Sequence, residues 1–393
     1  MALKFRYSER LKKLPPYLFA EIDKIKRKLL QEGKDIIDLG VGDPDIPTPT
    51  HMIERLYKAA QDPKNHNYAL DAGMPELRKA IASWYKKRFD IDLDPQEEVL
   101  PLIGSKEGIA HIPLAFVNPG DVVLIPEPGY PVYFSSTVFA GGDPYFMPLL
   151  EKNSFLPVYH DIDAQELKKA KLMFLNYPNN PTSATCDMSF FENTVEFAKK
   201  NNIIVCHDAA YTEIFFDGKK QPSFLQAGGA KDVGIEFHSL SKTFCMTGWR
   251  IGFAVGNPDI IKGLGKIKSN IDSGIFQAIQ LAGIEALERG ESDTRRFNKI
   301  YQERRDIFVE GLNSLGWKAG KPDATFYIWL KVPPGYTSSE LAMVLLKECN
   351  IVCTPGNGFG EDGEGYVRFA LTRDKGRIIE ALERIRKLHE KRS

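Results

Sequence analysis

Paired cysteines, long hydrophobic runs and a charge excess of either sign are all missing from this chain. Its 393 residues carry 52 Lys plus Arg against 52 Asp plus Glu, a formal net charge of zero. Polyanion-binding proteins show a basic excess or a basic stripe, so nucleic acid is not expected as a partner. The basic stretch from Arg384 alternates apolar and charged positions and is expected to close a C-terminal helix. No apolar run approaches the ~20 residues that cross a bilayer, so no membrane span is expected. The cysteines, Cys186, Cys206, Cys245, Cys349 and Cys353, are odd in number and contain no CxxC. That argues against a disulfide framework and against a zinc site. A reduced, cytoplasmic protein is the simple expectation. The opening residues carry charge from Lys4 onward and no apolar stretch, so no secretory signal is expected.

Several catalytic signatures are missing too. There is no GxxxxGK[ST], no HExxH and no GxSxG. Gly40-Val-Gly42 lacks the third glycine of a dinucleotide fingerprint, and the seven histidines are scattered. Hydrolase chemistry is disfavoured, and no metal is expected.

What is present is a repeating α/β pattern of ordinary globular composition, 43% hydrophobic and 26% charged. At ~150 residues per domain, the length suits two or three domains. Helical spacing over 17–32 ends at Gly33. A short strand follows at 35–39, and the Pro-rich stretch 43–50 reads as an extended crossing between domains. Helices are expected over 75–89, 109–116 and 188–200. Strands are expected over 99–103, 121–125, 171–176, 203–207, 234–239 and 250–255. Short β-rich runs alternating with helices predict a mostly parallel sheet. Polar residues cluster where the strands end, which is where such sheets bind ligands. A long charged helix is expected over 291–315. A smaller α+β pattern follows, with strands over 324–330, 352–354 and 365–371 and helices over 338–348 and from about 375.

Five stretches carry possible chemistry, each with a plainer alternative. In Ser239-Leu-Ser-Lys242, a lysine directly follows a strand, with Ser239 and Arg250 flanking it as an anion would need. The alternative is an exposed loop lysine. Asp208 closes a strand and Tyr211 follows three residues later, suiting a ring nitrogen and a ring hydroxyl. The alternative is an N-cap Asp with a packed Tyr. Gly104-Ser-Lys-Glu-Gly108 lies at a strand-to-helix junction whose free N–H groups suit phosphate. An ordinary βα turn would look the same. Asn176-Tyr-Pro-Asn-Asn-Pro-Thr182 is either a site loop or a turn. Arg368 sits in an apolar strand and needs an anion, either internal or a substrate carboxylate.

Together these residues resemble the fold-type I, class I/II pyridoxal-phosphate-dependent aminotransferases, in order and over nearly the whole chain. The resemblance implies an α/β fold, with a mostly parallel seven-stranded sheet between helices and a small α+β domain. The large cofactor-binding domain would span 46–285, and the small one would combine 1–45 with 286–393. Lys242 would hold pyridoxal 5′-phosphate covalently and move the proton between the substrate Cα and the cofactor C4′. Asp208 would keep the pyridine nitrogen protonated. Tyr211 and Asn180 would bind the ring's 3-oxygen, with Asn180 also serving the substrate. Ser105, Lys106, Ser239 and Arg250 would cradle the phosphate, and Tyr130 would stack on the ring. Arg368, helped by Gly42, would bind the substrate α-carboxylate. Tyr68 would reach the phosphate of a neighbouring subunit, implying a homodimer with shared sites.

Tyr68-Ala-Leu-Asp-Ala-Gly73 and Pro15-Pro-Tyr17-Leu-Phe-Ala-Glu-Ile-Asp23 are similar to the LL-diaminopimelate aminotransferase subfamily. That implies transfer of an amino group between LL-2,6-diaminopimelate and 2-oxoglutarate. Asp71 would meet the distal ammonium, and Tyr17 would lie over the substrate. Alternatively, Asp71 caps the helix near Pro75 or stays solvated. An aspartate, alanine or aromatic aminotransferase remains open, as does a non-catalytic regulatory protein of the same fold.

Overall fold

The computed structural model describes residues 5–14 and 20–392. Its strands, in chain order, are β1 (Ile37–Asp38), β2 (Val99–Leu102), β3 (Val122–Glu127), β4 (Asp143–Pro148), β5 (Ala170–Leu175) and β6 (Ile204–Asp208). They continue with β7 (Gly234–Ser239), β8 (Gly252–Gly256), β9 (Tyr327–Lys331), β10 (Ile351–Val352), β11 (Thr354–Pro355) and β12 (Tyr366–Ala370). Seven form one sheet in the order β2-β8-β7-β6-β5-β3-β4. Only β8 runs against the rest. This is the mostly parallel α/β sheet that the alternating pattern predicts.

The central strands are apolar on both faces because helices cover both. Leu172, Phe174, Cys206, Ile235 and Phe237 pack on one side, and Met173, Leu175, Val205 and Val255 on the other. Each such Leu, Val or Phe contributes ~1.5–3 kcal/mol on burial. A second core forms around β9, β11 and β12, which pair antiparallel. There Ile37 and Leu39 meet Ile328, Phe369, Leu345 and Ile378. The short parallel pair β1–β10 sets Ile37 opposite Ile351. Among the described residues, no helix is long and apolar enough to cross a membrane.

Local signals account for most boundaries. Helix Pro75–Phe89 opens with proline at its first turn, ends in Lys86, Lys87 and Arg88, and stops at Asp90 in the left-handed conformation. Helix Ser338–Cys349 starts from a capping box made by Thr337 and Glu340.

Other expectations need correction. The expected strand 250–255 begins only at Gly252, because Arg250 is left-handed at φ 55° and stands outside the ladder. The expected strand 352–354 is two pieces: β10 pairs with β1, and β11 pairs with β12. The expected strand 324–330 starts at Tyr327, after Thr325 turns the chain at φ 67°. The helix expected over 109–116 starts four residues earlier, at Ser105. The Pro-rich crossing ends directly in helix Thr50–Ala60. That helix, Val132–Ala140, Pro258–Ile271 and Gln277–Arg289 were not anticipated. Nor was β4, an edge strand that tolerates Pro144 and Pro148 because edge positions need fewer ladder donors.

Candidate active site

The expected polar residues converge at the carboxyl edge of the large sheet. Lys242 lies in the short helix Leu240–Thr243, directly after β7. Its amine donates to the Gly42 carbonyl at 2.7 Å and lies 5.8 Å from the Phe326 ring centre. Burial holds its pKa down at about 8; Asp43 opposes this, and the positive charges of Arg368 and Arg250 reinforce it. A nucleophilic or proton-accepting lysine needs such a depressed value. Gly42 can approach only because it has no side chain: a Cβ there would fall 2.0 Å from the Tyr327 hydroxyl.

Asp208 ends β6 and is buried. The Tyr133 hydroxyl donates to its Oδ2 at 2.9 Å, and the Ala210 N–H reaches Oδ1 at 3.3 Å. Burial raises its pKa despite those bonds. A cation against Asp208 would offset that burial. Tyr211 and Tyr327 share a hydroxyl–hydroxyl bond of 2.9 Å. Tyr130 is half-buried; burial first, then the charges of Asp208 and Tyr327, push its hydroxyl up to about 12, against Arg250 and Arg368. Groups from four segments thus act on one ring.

Arg368, on β12, is buried between the rings of Tyr327 and Phe359, at 4.2 and 4.7 Å. It donates to Asn180 Oδ1 at 2.6 Å and to the Gly40 carbonyl at 2.7 Å. Neither partner carries charge, so the guanidinium is hydrogen-bonded but not neutralised. The Asn180 N–H is held in turn by Asn176 Oδ1 at 2.7 Å. The 176–182 stretch is therefore both a turn and part of the site.

At the other end, Gly104 sits at φ 76°, a conformation that favours glycine, and precedes helix Ser105–Phe116. A Cβ on it would fall 2.3 Å from Arg250 Nη2. The strained turn therefore lets the guanidinium lie against the helix N-terminus, whose first N–H groups lack intrahelical acceptors. Ser105 is buried and Lys106 exposed, its amine 5.8 Å from the Tyr130 ring centre. Ser239 is buried at the end of β7.

Two expected residues stand apart. Tyr68 is 94% exposed. Asp71 is exposed in a turn and does not cap the next helix, whose N-cap is Met74. Neither side chain bonds to the residues above among the described residues. Tyr17 lies outside the described residues. Conversely, sequence reasoning missed Tyr133, Tyr327, Gly40 and Thr354, whose hydroxyl accepts from Arg368 Nη2 at 3.5 Å. Tyr327 lies in an apolar run that reads only as a strand, and Tyr133 in a helix without polar periodicity.

Pyridoxal 5′-phosphate fits what is present. The buried Ser241 hydroxyl and Arg368 Nε have no partner among the described residues. Arg250 beside the Gly104 turn and the helix N-terminus offers donors that suit an anion, no cation bonds to Asp208 among the described residues, and the lysine is held at low pKa.

Comparison with known proteins agrees. Residues 34–385 match the family model for aminotransferase class I and II. The chain is 57% identical to the LL-diaminopimelate aminotransferase of Syntrophobacter fumaroxidans over 98% of this chain and 99% of that one. It is 56% identical to the same-named protein of Aquifex aeolicus, with the same coverage. A substrate-bound structure of BacF from Bacillus subtilis superposes with a TM-score of 0.94 at 41% identity, covering 98% of both chains. A buried lysine at a sheet edge, an arginine set against a helix N-terminus and a likeness along almost the full length have one common explanation: the chain belongs to the class I and II aminotransferases, enzymes that depend on pyridoxal 5′-phosphate.

Proposed function

We propose that this aminotransferase moves an amino group between LL-2,6-diaminopimelate and 2-oxoglutarate. In the biosynthetic direction it would convert tetrahydrodipicolinate and glutamate into LL-diaminopimelate and 2-oxoglutarate, on the way to lysine. The observation that carries the reading is the near-full-length likeness to two proteins of that name. The bound cofactor supplies an electron sink for the charge left at the substrate Cα. Asp208 holds the proton on the ring nitrogen, steadied by Tyr133. Tyr211 and Asn180 orient the ring oxygen, and Tyr130 covers one face. Ser105, Lys106, Ser239 and Arg250 bind the phosphate. Arg368 takes the substrate α-carboxylate alongside Gly42, using charge that Asn180 and Gly40 leave uncompensated. Lys242, anchoring the cofactor between turnovers, is then the base that takes the Cα proton and delivers it to the cofactor's C4′.

The same reading divides the chain into a large domain, 46–285, and a small one from 1–45 and 286–393. It makes the enzyme a cytoplasmic homodimer with shared sites. The exposure of Tyr68 and of Leu70, at 94% and 65%, supports a loop completed by a second subunit. Asp71, on that loop, would meet the distal ammonium, and Tyr17 would close over the substrate.

A panel of amino donors tests the reading, following conversion of bound cofactor to its pyridoxamine form. LL-diaminopimelate should react fastest, and Asp71→Asn should raise its KM about tenfold with little change for glutamate. Brisk reaction with aspartate or aromatic donors and none with LL-diaminopimelate would refute it.

A further inference from the structure

Behind the Gly104 turn lies a charged cluster that the reaction does not use. Lys268 is completely buried. Its ammonium donates to Glu107 Oε1 at 2.9 Å, Asp272 Oδ1 at 2.6 Å and the Ser273 carbonyl at 3.3 Å. The second Glu107 oxygen accepts the Ile103 N–H. His111, one helical turn on, brings Nδ1 to 3.8 Å from Glu107 Oε1. Glu107, His111 and Asp272 could together suit a cation, but the Lys268 ammonium already binds both carboxylates.

The position of Glu107 makes this cluster consequential. It lies in the first turn of helix Ser105–Phe116. A carboxylate there stabilises a helix in isolation, because it faces the positive dipole end. Here the same dipole end abuts Arg250, so an ionised Glu107 and a bound phosphate would compete for one field. Burial outweighs the Lys268 bond and holds the Glu107 pKa up at about 7.

We propose that Lys268 is a positioning residue that neutralises Glu107, so that the helix N-terminus keeps its affinity for the cofactor's phosphate. The mechanism is electrostatic: removing the ammonium leaves a buried carboxylate one turn from a phosphate dianion. Removing the Glu107 carboxylate leaves the ammonium paired with Asp272 alone, a cluster with one negative charge fewer, which favours the dianion. The two substitutions therefore act in opposite directions on phosphate, whereas a scaffold role would make both harmful.

The inference rests on Ser105, Lys106 and Arg250 being the phosphate cradle, and the experiment separates the two ideas. The cofactor-free full-length chain is titrated with pyridoxal 5′-phosphate and, separately, with pyridoxal, which keeps the aldehyde and lacks the phosphate. Lys268→Met should weaken pyridoxal 5′-phosphate about tenfold while moving pyridoxal less than about threefold. Glu107→Gln should bind pyridoxal 5′-phosphate as tightly as the native chain or more tightly. The pair Glu107→Gln with Lys268→Met should return to within about threefold of native, and it decides the matter if Lys268→Met alone fails to fold. Equal losses for both ligands in Lys268→Met, or a Glu107→Gln loss as large as that of Lys268→Met, would overturn the proposal. A native chain that binds both ligands equally would overturn the cradle itself.

Discussion

At the scale of single residues, the site is a set of groups whose burial is only partly compensated. Lys242 keeps an amine near pKa 8 because burial disfavours its charge and Asp43 only partly restores it. If Lys242 anchors the cofactor as proposed, its neutral amine attacks the cofactor aldehyde, and its availability increases with pH until the amine is fully neutral. Covalent uptake of pyridoxal 5′-phosphate should therefore quicken about tenfold from about pH 7 to about pH 9, then level off. Asp43→Asn removes the opposing charge and should move this profile to lower pH. Stopped-flow absorbance checks both; a midpoint near that of free lysine, about 10.4, would contradict the reading. Lys242, Asp208 and Arg368 could be singled out as candidates in the sequence, because a charge beside or inside an apolar strand needs a reason. Tyr133 and Tyr327 were not, because a tyrosine in an apolar run is ordinary until something polar meets its hydroxyl.

At the scale of elements, most strands were legible, while junctions and several helices were not, even Pro258–Ile271 with its Asn257 cap. The strand expected over 352–354 is not one element: Ile351–Val352 and Thr354–Pro355 pair with different partners. No local preference encodes that choice. Helix docking is similar. His51 lies between Glu285 and Asp293, at 2.9 and 3.0 Å, and so ties helix Thr50–Ala60 to helices Gln277–Arg289 and Glu291–Ser314. Burial works to lower its pKa, but the bonds and charges of Asp293 and Glu285 outweigh it and raise the value. Arg289 and Arg296 share those carboxylates. A raised folded-state pKa means stability that is full below the ordinary histidine value and lost as pH climbs through the raised one. His51→Gln should thus lower Tm most at about pH 5.5–6, with a difference that shrinks on the alkaline side. Thermal melts of both proteins across that range test it; a deficit that grows with pH would contradict it.

At the scale of the whole molecule, the site exists only because distant segments close on it. Arg304 binds Asp45 through two bonds of 2.7 and 2.8 Å and also holds the Leu371 carbonyl, fastening the Pro-rich crossing to the long helix. Thr48 bonds the Cys245 carbonyl at 2.7 Å from the same crossing. Gly42 is thereby held over Lys242, 200 residues away in sequence. The proposed dimer extends this closure. If Tyr68 serves the opposite subunit, Lys242→Ala and Tyr68→Ala chains should each be nearly inactive alone. Refolded together, they should recover up to about a quarter of native activity, since each mixed dimer holds one intact site. Assays and sedimentation on the mixture decide it; no recovery in a proven mixed dimer would rule out sharing.

The sequence by itself determined the alternating α/β fold and singled out candidate residues for the site. Hydrophobic periodicity is local, and a charge set beside or inside an apolar strand stands out from its neighbours. It could not decide which hydroxyl meets which carboxylate, which half of 351–355 joins which sheet, or that Lys268 answers Glu107 across 161 residues. Those pairings depend on distances that exist only after the cores have formed, and each is an energy between groups the chain keeps far apart.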